Sequence, residues 1–361
     1  MYTKMPDRII TTLPELSAFL PETAKGLSDE LLKQFPMAIP EYYLNLIDFS
    51  DPNDPIFKMS VPSLQELQTD GVFDTSGEGK NTKIKGLQHK YRETSLILST
   101  NQCAMYCRYC FRKRLVGLNT QEMVHDIDAV VSYIQTHTEI NNVLVSGGDS
   151  LLNSNHTLGI YLEKLSCIDH LDYIRFGSKV PIVLPDRILK DDELQALFRS
   201  YCEKKQIYVV TQFNHPNELT EQSIAAVKCL QRLGVIVKNQ TVLMQDVNDS
   251  ADCIAALFNL LVRNGIVPYY LFQCRPVSGV KNHFQVPIMK GISIVQDVKQ
   301  RTSGNGKDFR YVLSNEHGKL EIVGIQQPGK VLLQYHQAKD ISSCGALFER
   351  DIDEQTYWIS E

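Results

Sequence analysis

From about residue 95 to about residue 275, short apolar runs alternate with stretches of helical spacing, and this alternation constrains the fold more than any other feature. Leu96–Thr100, Asn142–Ser146, Tyr173–Leu184, Ile207–Phe213, Val235–Met244 and Val267–Gln273 read as extended. Met123–His137, Thr157–Ile168, Asp191–Lys205, Leu219–Leu233 and Ala251–Asn264 read as helical, and Gly234 and Gly265 stand where two of these helices should stop. Strands separated by helices of about 12 to 15 residues need crossover connections and so run parallel. About six such units fit, which predicts an α/β fold built as a partial parallel (β/α)6 barrel over residues 86–305. Residues 1–85 carry a weaker helical pattern, with Gly77–Gly86 reading as a loop, and predict an N-terminal helical extension. Residues 306–361 predict a small β-rich C-terminal appendage, with strands over Phe309–Ser314, Leu320–Ile325 and Val331–Tyr335.

Bulk properties exclude some classes of function. The net charge of −5 gives no electrostatic reason to bind nucleic acid or an anionic membrane. No apolar run reaches the roughly 18 residues of a membrane span. The N-terminal stretch, polar and mixed in charge, lacks the apolar core of a signal peptide, so the cytoplasm is the expected compartment. Three of the nine cysteines fall within eight residues; Cys167, Cys202, Cys229, Cys253, Cys274 and Cys344 are scattered singly. One tight group in an intracellular chain points to metal binding, and most of the scattered six are expected to be small buried apolar residues.

The tight group is Cys103-Ala-Met-Tyr-Cys107-Arg-Tyr-Cys110, directly after a strand. In parallel α/β folds the loops at the C-terminal strand ends carry the chemistry. Three thiolates on one loop suit three irons of a four-iron cluster and leave the fourth iron open; zinc would want a fourth protein ligand at close spacing. The next strand ends at Gly147-Gly148-Asp149, where the missing Cβ atoms would let backbone approach a ligand, although a plain strand-to-helix turn has the same glycines.

Three cysteines at this spacing, with Tyr109 before the last, resemble the radical S-adenosylmethionine signature. The resemblance implies a [4Fe-4S] cluster on Cys103, Cys107 and Cys110 with S-adenosylmethionine on its open iron. Tyr109, Gly147, Gly148, Asp149 and Gln240 (in Lys238-Asn-Gln-Thr-Val-Leu243) would then contact the cofactor. Further segments resemble the lysine 2,3-aminomutase family: Glu41–Ile47, Asp51–Ile56, Gly86–Tyr91, Phe111-Arg112-Lys113-Arg114, Phe213–Glu218, Tyr269–Cys274 and Thr302-Ser-Gly304. That family is of isomerases that also use pyridoxal 5′-phosphate. The resemblance implies that Arg112 receives the substrate carboxylate, which a guanidinium fork suits. It implies that Lys90 and Tyr91 hold the pyridoxal phosphate group. A small amino acid is the implied substrate and flavodoxin or ferredoxin the implied reductant; an assembly of identical chains is left open.

The chain departs from the family at four places. The lysine that carries pyridoxal phosphate should follow a run of glycines; Lys319 after Gly318 is the best candidate here and Lys330 the second. A basic residue expected shortly after Tyr91 is replaced by Thr94, and an aspartate expected after Gln273-Cys274 is replaced by Arg275. The C-terminal cysteines that bind structural zinc in longer members are missing, with only Cys344 in that region. Arg275 would repel a lysine ammonium and accept an acidic or neutral side chain, so a substrate other than free lysine is expected. Three alternatives stay open: a radical enzyme without pyridoxal phosphate, a protein-lysine aminomutase acting on a translation factor, and a non-catalytic iron–sulfur or zinc module.

Overall fold

The computed structural model describes residues 8–20 and 26–360; residues 1–7, which carry part of the N-terminal reading above, lie outside the described residues. Strands β1 (Ile9–Ile10) and β2 (Ile39–Pro40) form a small antiparallel pair among short helices. The remaining strands form one sheet in chain order: β3 (Thr82–Ile84), β4 (Leu87–Tyr91), β5 (Thr94–Thr100), β6 (Asn142–Gly147), β7 (Tyr173–Gly177), β8 (Gln206–Thr211), β9 (Ile236–Leu243), β10 (Val267–Gln273), β11 (Arg310–Ser314), β12 (Gly318–Gln327), β13 (Lys330–Ala338) and β14 (Leu347–Asp351). From β5 to β11 neighbouring strands are parallel, and at both ends the pairing turns antiparallel.

The crossover helices begin where side chains cap them. Asp126, Ser154, Asp191, Thr220 and Ser250 each accept a first-turn N–H from helices Ile127–Thr136, Asn155–Ser166, Asp192–Cys202, Glu221–Arg232 and Ala251–Arg263. Gly234 and Gly265, at φ of 93° and 70°, supply the left-handed residue that ends two of them. Strand side chains divide by alternation. Val143, Val145, Ile174, Phe176, Ile207 and Val209 are wholly buried in the main core, each burial contributing roughly 1.5–3 kcal/mol. Their neighbours Leu144, Ser146, Arg175 and Gly177 line a cavity instead.

Three expectations are corrected. Phe309–Ser314 does not open a separate appendage: β11 pairs parallel with β10, Leu271 opposite Tyr311, so the tail continues the main sheet. The outer edge of β10 offers unpaired backbone groups, and helix Ile288–Arg301 is the crossover that lets β11 satisfy them. The stretch Gly77–Gly86 is not all loop, since Glu78–Asn81 forms a helical turn and leads into β3. Tyr173–Leu184 is extended only to Gly177, after which Val180–Val183 turns helical because the Asp149 carboxylate accepts the N–H groups of Lys179 and Val180.

The two sides of the sheet also meet. The Lys90 ammonium donates to the Asn315 carbonyl, and Lys319 Nζ lies 5.1 Å from the Tyr91 ring centre. β4 and the β11–β12 turn thus share one end of the cavity. Among the described residues no helix is long and apolar enough to cross a membrane.

Candidate active site

The cavity has a volume of about 330 Å³, a size suited to small ligands. Its upper wall comes from residues at or just past the C-terminal ends of β5 to β11, where parallel α/β folds place their chemistry. Six cationic side chains line it (Lys90, Arg112, Arg175, Lys179, Arg275 and Lys319) against two carboxylates, Glu78 and Asp149. The net charge of the chain is negative, so this cavity is a local reversal that favours anions.

Cys103, Cys107 and Cys110 all border the cavity. Their loop is tied down by Tyr106 N to Ala38 O at 3.0 Å and Arg108 N to Met59 O at 2.9 Å. Burial pushes all three thiols up, Cys110 to about 11. Among the described residues no three His, Cys, Asp or Glu side chains gather around a single ion position.

Packing requires Gly147 and Gly148 to lack a side chain. A Cβ on Gly147 would stand 2.3 Å from Thr100 O, and one on Gly148 would stand 2.2 Å from Gln102 O. Both glycines let the strand end pack against the base of the cysteine loop, and Asp149 N donates to Gln102 O at 2.8 Å. The Asp149 carboxylate accepts from Ser178 Oγ (2.6 Å), Lys179 N (2.7 Å), Leu151 N (3.1 Å) and Val180 N (3.2 Å). Burial still raises it above the usual carboxylate range, and these donors only partly offset that. Gln240 faces the cavity, whereas Asn239, on the opposite face of β9, is spent on Phe213 N and O.

Arg112 is buried and fixed on three sides. Its Nε donates to Glu78 Oε1 at 2.8 Å, and its Nη1 to Ser146 Oγ at 3.2 Å and Gly147 O at 3.3 Å. Glu78 also accepts from Arg114 Nη2 at 2.9 Å. Burial alone would raise Glu78, but Arg112 and Arg114 outweigh it and hold the carboxyl below its usual range. Arg275 Nη1 donates to Ser76 Oγ and, at 3.3 Å, to Thr75 Oγ1. The guanidiniums of Arg112 and Arg275 both stack on Phe111, at 4.8 and 4.4 Å from its ring centre. Burial draws Arg275 down to about 10, which leaves it charged at neutral pH.

At the other end, Lys319 Nζ donates to Gln337 Oε1 at 2.6 Å and sits 5.1 and 5.2 Å from the rings of Tyr91 and Tyr270. Burial, then the charges of Arg175, Lys90 and Arg275, lower it to about 7. Lys90 falls to about 7 for the same first reason, and burial pushes the Tyr91 phenol up to about 12. Lys330 pairs with Asp351 at 3.4 Å and does not border the cavity.

Sequence reasoning missed Glu78, Arg175 and Lys179. Lys179 Nζ donates to the Tyr109 hydroxyl at 3.0 Å and pairs with Glu218 Oε1 at 2.8 Å. Glu218 in turn accepts from the Tyr43 hydroxyl at 2.7 Å. Two of the quoted segments, 41–47 and 213–218, therefore meet in one buried network behind the cysteine loop. The available signal was position: Lys179 follows a strand end directly, as the cysteines and the glycine pair do.

No family profile matches the chain. Among curated proteins, a chain of Aquifex aeolicus (strain VF5) provisionally named L-lysine 2,3-aminomutase is 37% identical over 344 residues, 95% of this chain and 91% of its own. The L-lysine 2,3-aminomutase of Clostridium subterminale is 39% identical over 82% of this chain and 71% of its own. The glutamate 2,3-aminomutase of Clostridioides difficile (strain 630) is 35% identical over 82% of this chain and 69% of its own. Among solved structures, a radical SAM methyltransferase from Sphaerobacter thermophilus overlaps at a TM-score of 0.38 and 16% identity, covering 63% of this chain and 68% of that one, too slight a likeness to build on.

Proposed function

The chain belongs to the lysine 2,3-aminomutase family of radical isomerases, and from that membership we propose that it shifts an amino group between Cα and Cβ of an amino acid whose side chain is acidic or uncharged. The observation that carries the substrate reading is the pair Arg112 and Arg275, both stacked on Phe111 beside the cysteine wall. Arg112 receives the α-carboxylate. Arg275 receives the far end of the side chain, and an acidic group there gains a charge-assisted hydrogen bond. Glu78 aims Arg112 by holding its Nε, and Phe111 supplies the flat surface against which both forks stand.

Members of this family use a [4Fe-4S] cluster, S-adenosylmethionine and pyridoxal 5′-phosphate. The residues present fit all three. Three thiols on one loop beside one cavity suit three irons of a cluster. Tyr109, the backbone of Gly147 and Gly148, and Gln240 border the space next to those thiols; the Asp149 carboxylate, spent on four internal donors, shapes that wall. A buried amine near pH 7 at Lys319, with Lys90 and Tyr91 alongside, suits an aldehyde that bears a phosphate. When bound, the first two groups supply a hydrogen-abstracting radical and the third an electron sink for the migrating nitrogen.

The chain's own residues do the rest. Arg112 and Arg275 fix the substrate at two points, so that one C–H bond faces the cysteine wall. Lys319 offers a neutral amine, because burial among cations disfavours its proton. The parallel part of the sheet is read as the partial (β/α)6 barrel of radical S-adenosylmethionine enzymes, with β12 to β14 extending it. A flavodoxin- or ferredoxin-like protein supplies the electron. The test is turnover by anaerobically reconstituted protein of lysine, glutamate, aspartate and their neutral amides, with 3-amino products separated by chromatography. Turnover of lysine without any acidic or amide substrate would falsify the reading.

A further inference from the structure

The inner end of the cavity holds N–H donors with nothing to bind. Arg175 Nε and Gln88 Nε2 are both buried without a hydrogen-bond partner, and both residues line the cavity. They lie in one register row across the sheet: Gln88 stands opposite Leu96, Leu96 opposite Leu144, and Leu144 opposite Arg175. A buried unmet donor costs free energy that a bound acceptor returns.

Arg175 is also held in a telling place. Its Nη2 donates to Asn142 Oδ1 at 2.6 Å, and the same oxygen accepts from Thr94 Oγ1 at 3.2 Å. The guanidinium therefore stands beside Thr94, the position at which the family resemblance led us to expect a cation. Lys90 stands at the same end as a second cationic side chain, and neither it nor Arg175 lies within ion-pair distance of a carboxylate among the described residues. The two carboxylates that line the cavity are already engaged, Glu78 by Arg112 and Arg114, and Asp149 by four donors. Buried cations without counter-charge call for an anion, and a guanidinium, an amide and the Lys90 ammonium together suit the three oxygens of a phosphate monoester.

We propose that Arg175 and Gln88 anchor the phosphate of the pyridoxal group, Arg175 replacing across the sheet the cation that Thr94 lacks. This rests on the pyridoxal phosphate reading above. It assigns a phosphate-binding role to Arg175 on β7, which lies in none of the quoted segments, and to Gln88 on β4.

The test compares pyridoxal 5′-phosphate with pyridoxal, which lacks the phosphate, by absorbance titration of the reconstituted full-length protein. Wild type binds the phosphate form at least tenfold more tightly. Arg175→Gln lowers affinity for the phosphate form tenfold to about a hundredfold, the loss of one charge-assisted hydrogen bond, and leaves pyridoxal within twofold. Adding Thr94→Arg to Arg175→Gln restores most of that affinity, which a merely structural role for Arg175 does not predict. Gln88→Met removes an amide with no internal bond and shows a loss in the same direction, so the proposal stays testable if Arg175→Gln misfolds. An unchanged preference for the phosphate form in Arg175→Gln and Gln88→Met overturns the assignment alone. Wild type binding both ligands equally also overturns it. Wild type binding neither ligand overturns the pyridoxal phosphate reading and this assignment together.

Discussion

Replacing Arg275 with glutamine should change which amino acids the enzyme accepts. Arg275 and Arg112 both stack on Phe111; of the two carboxylates whose charge reaches Arg275, Glu78 makes its bonds to Arg112 and Arg114, and Asp74 accepts from backbone N–H groups of Ser76, Glu78 and Gly79. Three guanidiniums against two carboxylates leave the pocket cationic. A lysine ammonium about 4 Å from Arg275 meets a repulsion of about 4 kcal/mol at an effective dielectric near 20. That is roughly a thousandfold in kcat/KM. An acidic side chain at the same place gains about 1.5–3 kcal/mol from a charge-assisted hydrogen bond. Arg275→Gln removes both effects. The expected result is a fall of ten- to a hundredfold in kcat/KM for the acidic substrate and a rise for lysine, with the ratio between them shifting by more than about a thousandfold. The assay measures initial rates for both amino acids with wild type and variant under identical reconstitution, with iron and sulfide content matched. A wild type that prefers lysine, or a ratio that Arg275→Gln leaves within threefold, refutes the electrostatic reasoning.

The other expectations concern the cluster, the buried acid and the amine. Serine at Cys103, Cys107 or Cys110 should abolish release of 5′-deoxyadenosine, whereas serine at Cys167 or Cys253, which do not border the cavity, should leave it intact; release surviving in any of the first three removes the cluster assignment. Glu78→Gln strands Arg112 without its buried carboxylate and should cost about 3–5 kcal/mol, read as a drop of roughly 6–10 °C in Tm by calorimetry. Because Arg112 and Arg114 hold Glu78 below its usual value of 4.5, its contribution is present above that pH and lost as pH falls below it, so the Tm of the variant should decline less than that of wild type on acidification. Lys319, lowered to about 7 from 10.5, binds more protons unfolded than folded across that interval, so its contribution to stability rises with pH between those values. Borohydride fixation of pyridoxal 5′-phosphate should increase through pH 7 and vanish in Lys319→Met; an adduct that persists, on Lys330 or elsewhere, reassigns the carrier lysine.

The sequence alone determined the parallel core, because alternating apolar runs and capped helices are local properties that each segment states for itself. It also determined the cysteine loop and the Arg112 that follows it, since all four residues sit within ten positions after one strand. Its reading of Arg275 was legible for the same reason: the residue ends a recognisable strand. Only the tertiary structure decided what surrounds them. Glu78 lies in a stretch that reads as a loop, yet it orients Arg112 from 34 residues away. Arg175 alternates within an ordinary strand, and nothing in its period says that the facing cavity leaves its Nε unmatched. Strand β11 looks like the start of a tail until its pairing with β10 is seen. Periodicity fixes which side of a strand is buried, but the charges and donors that share that side come from distant strands, and only the assembled sheet brings them together.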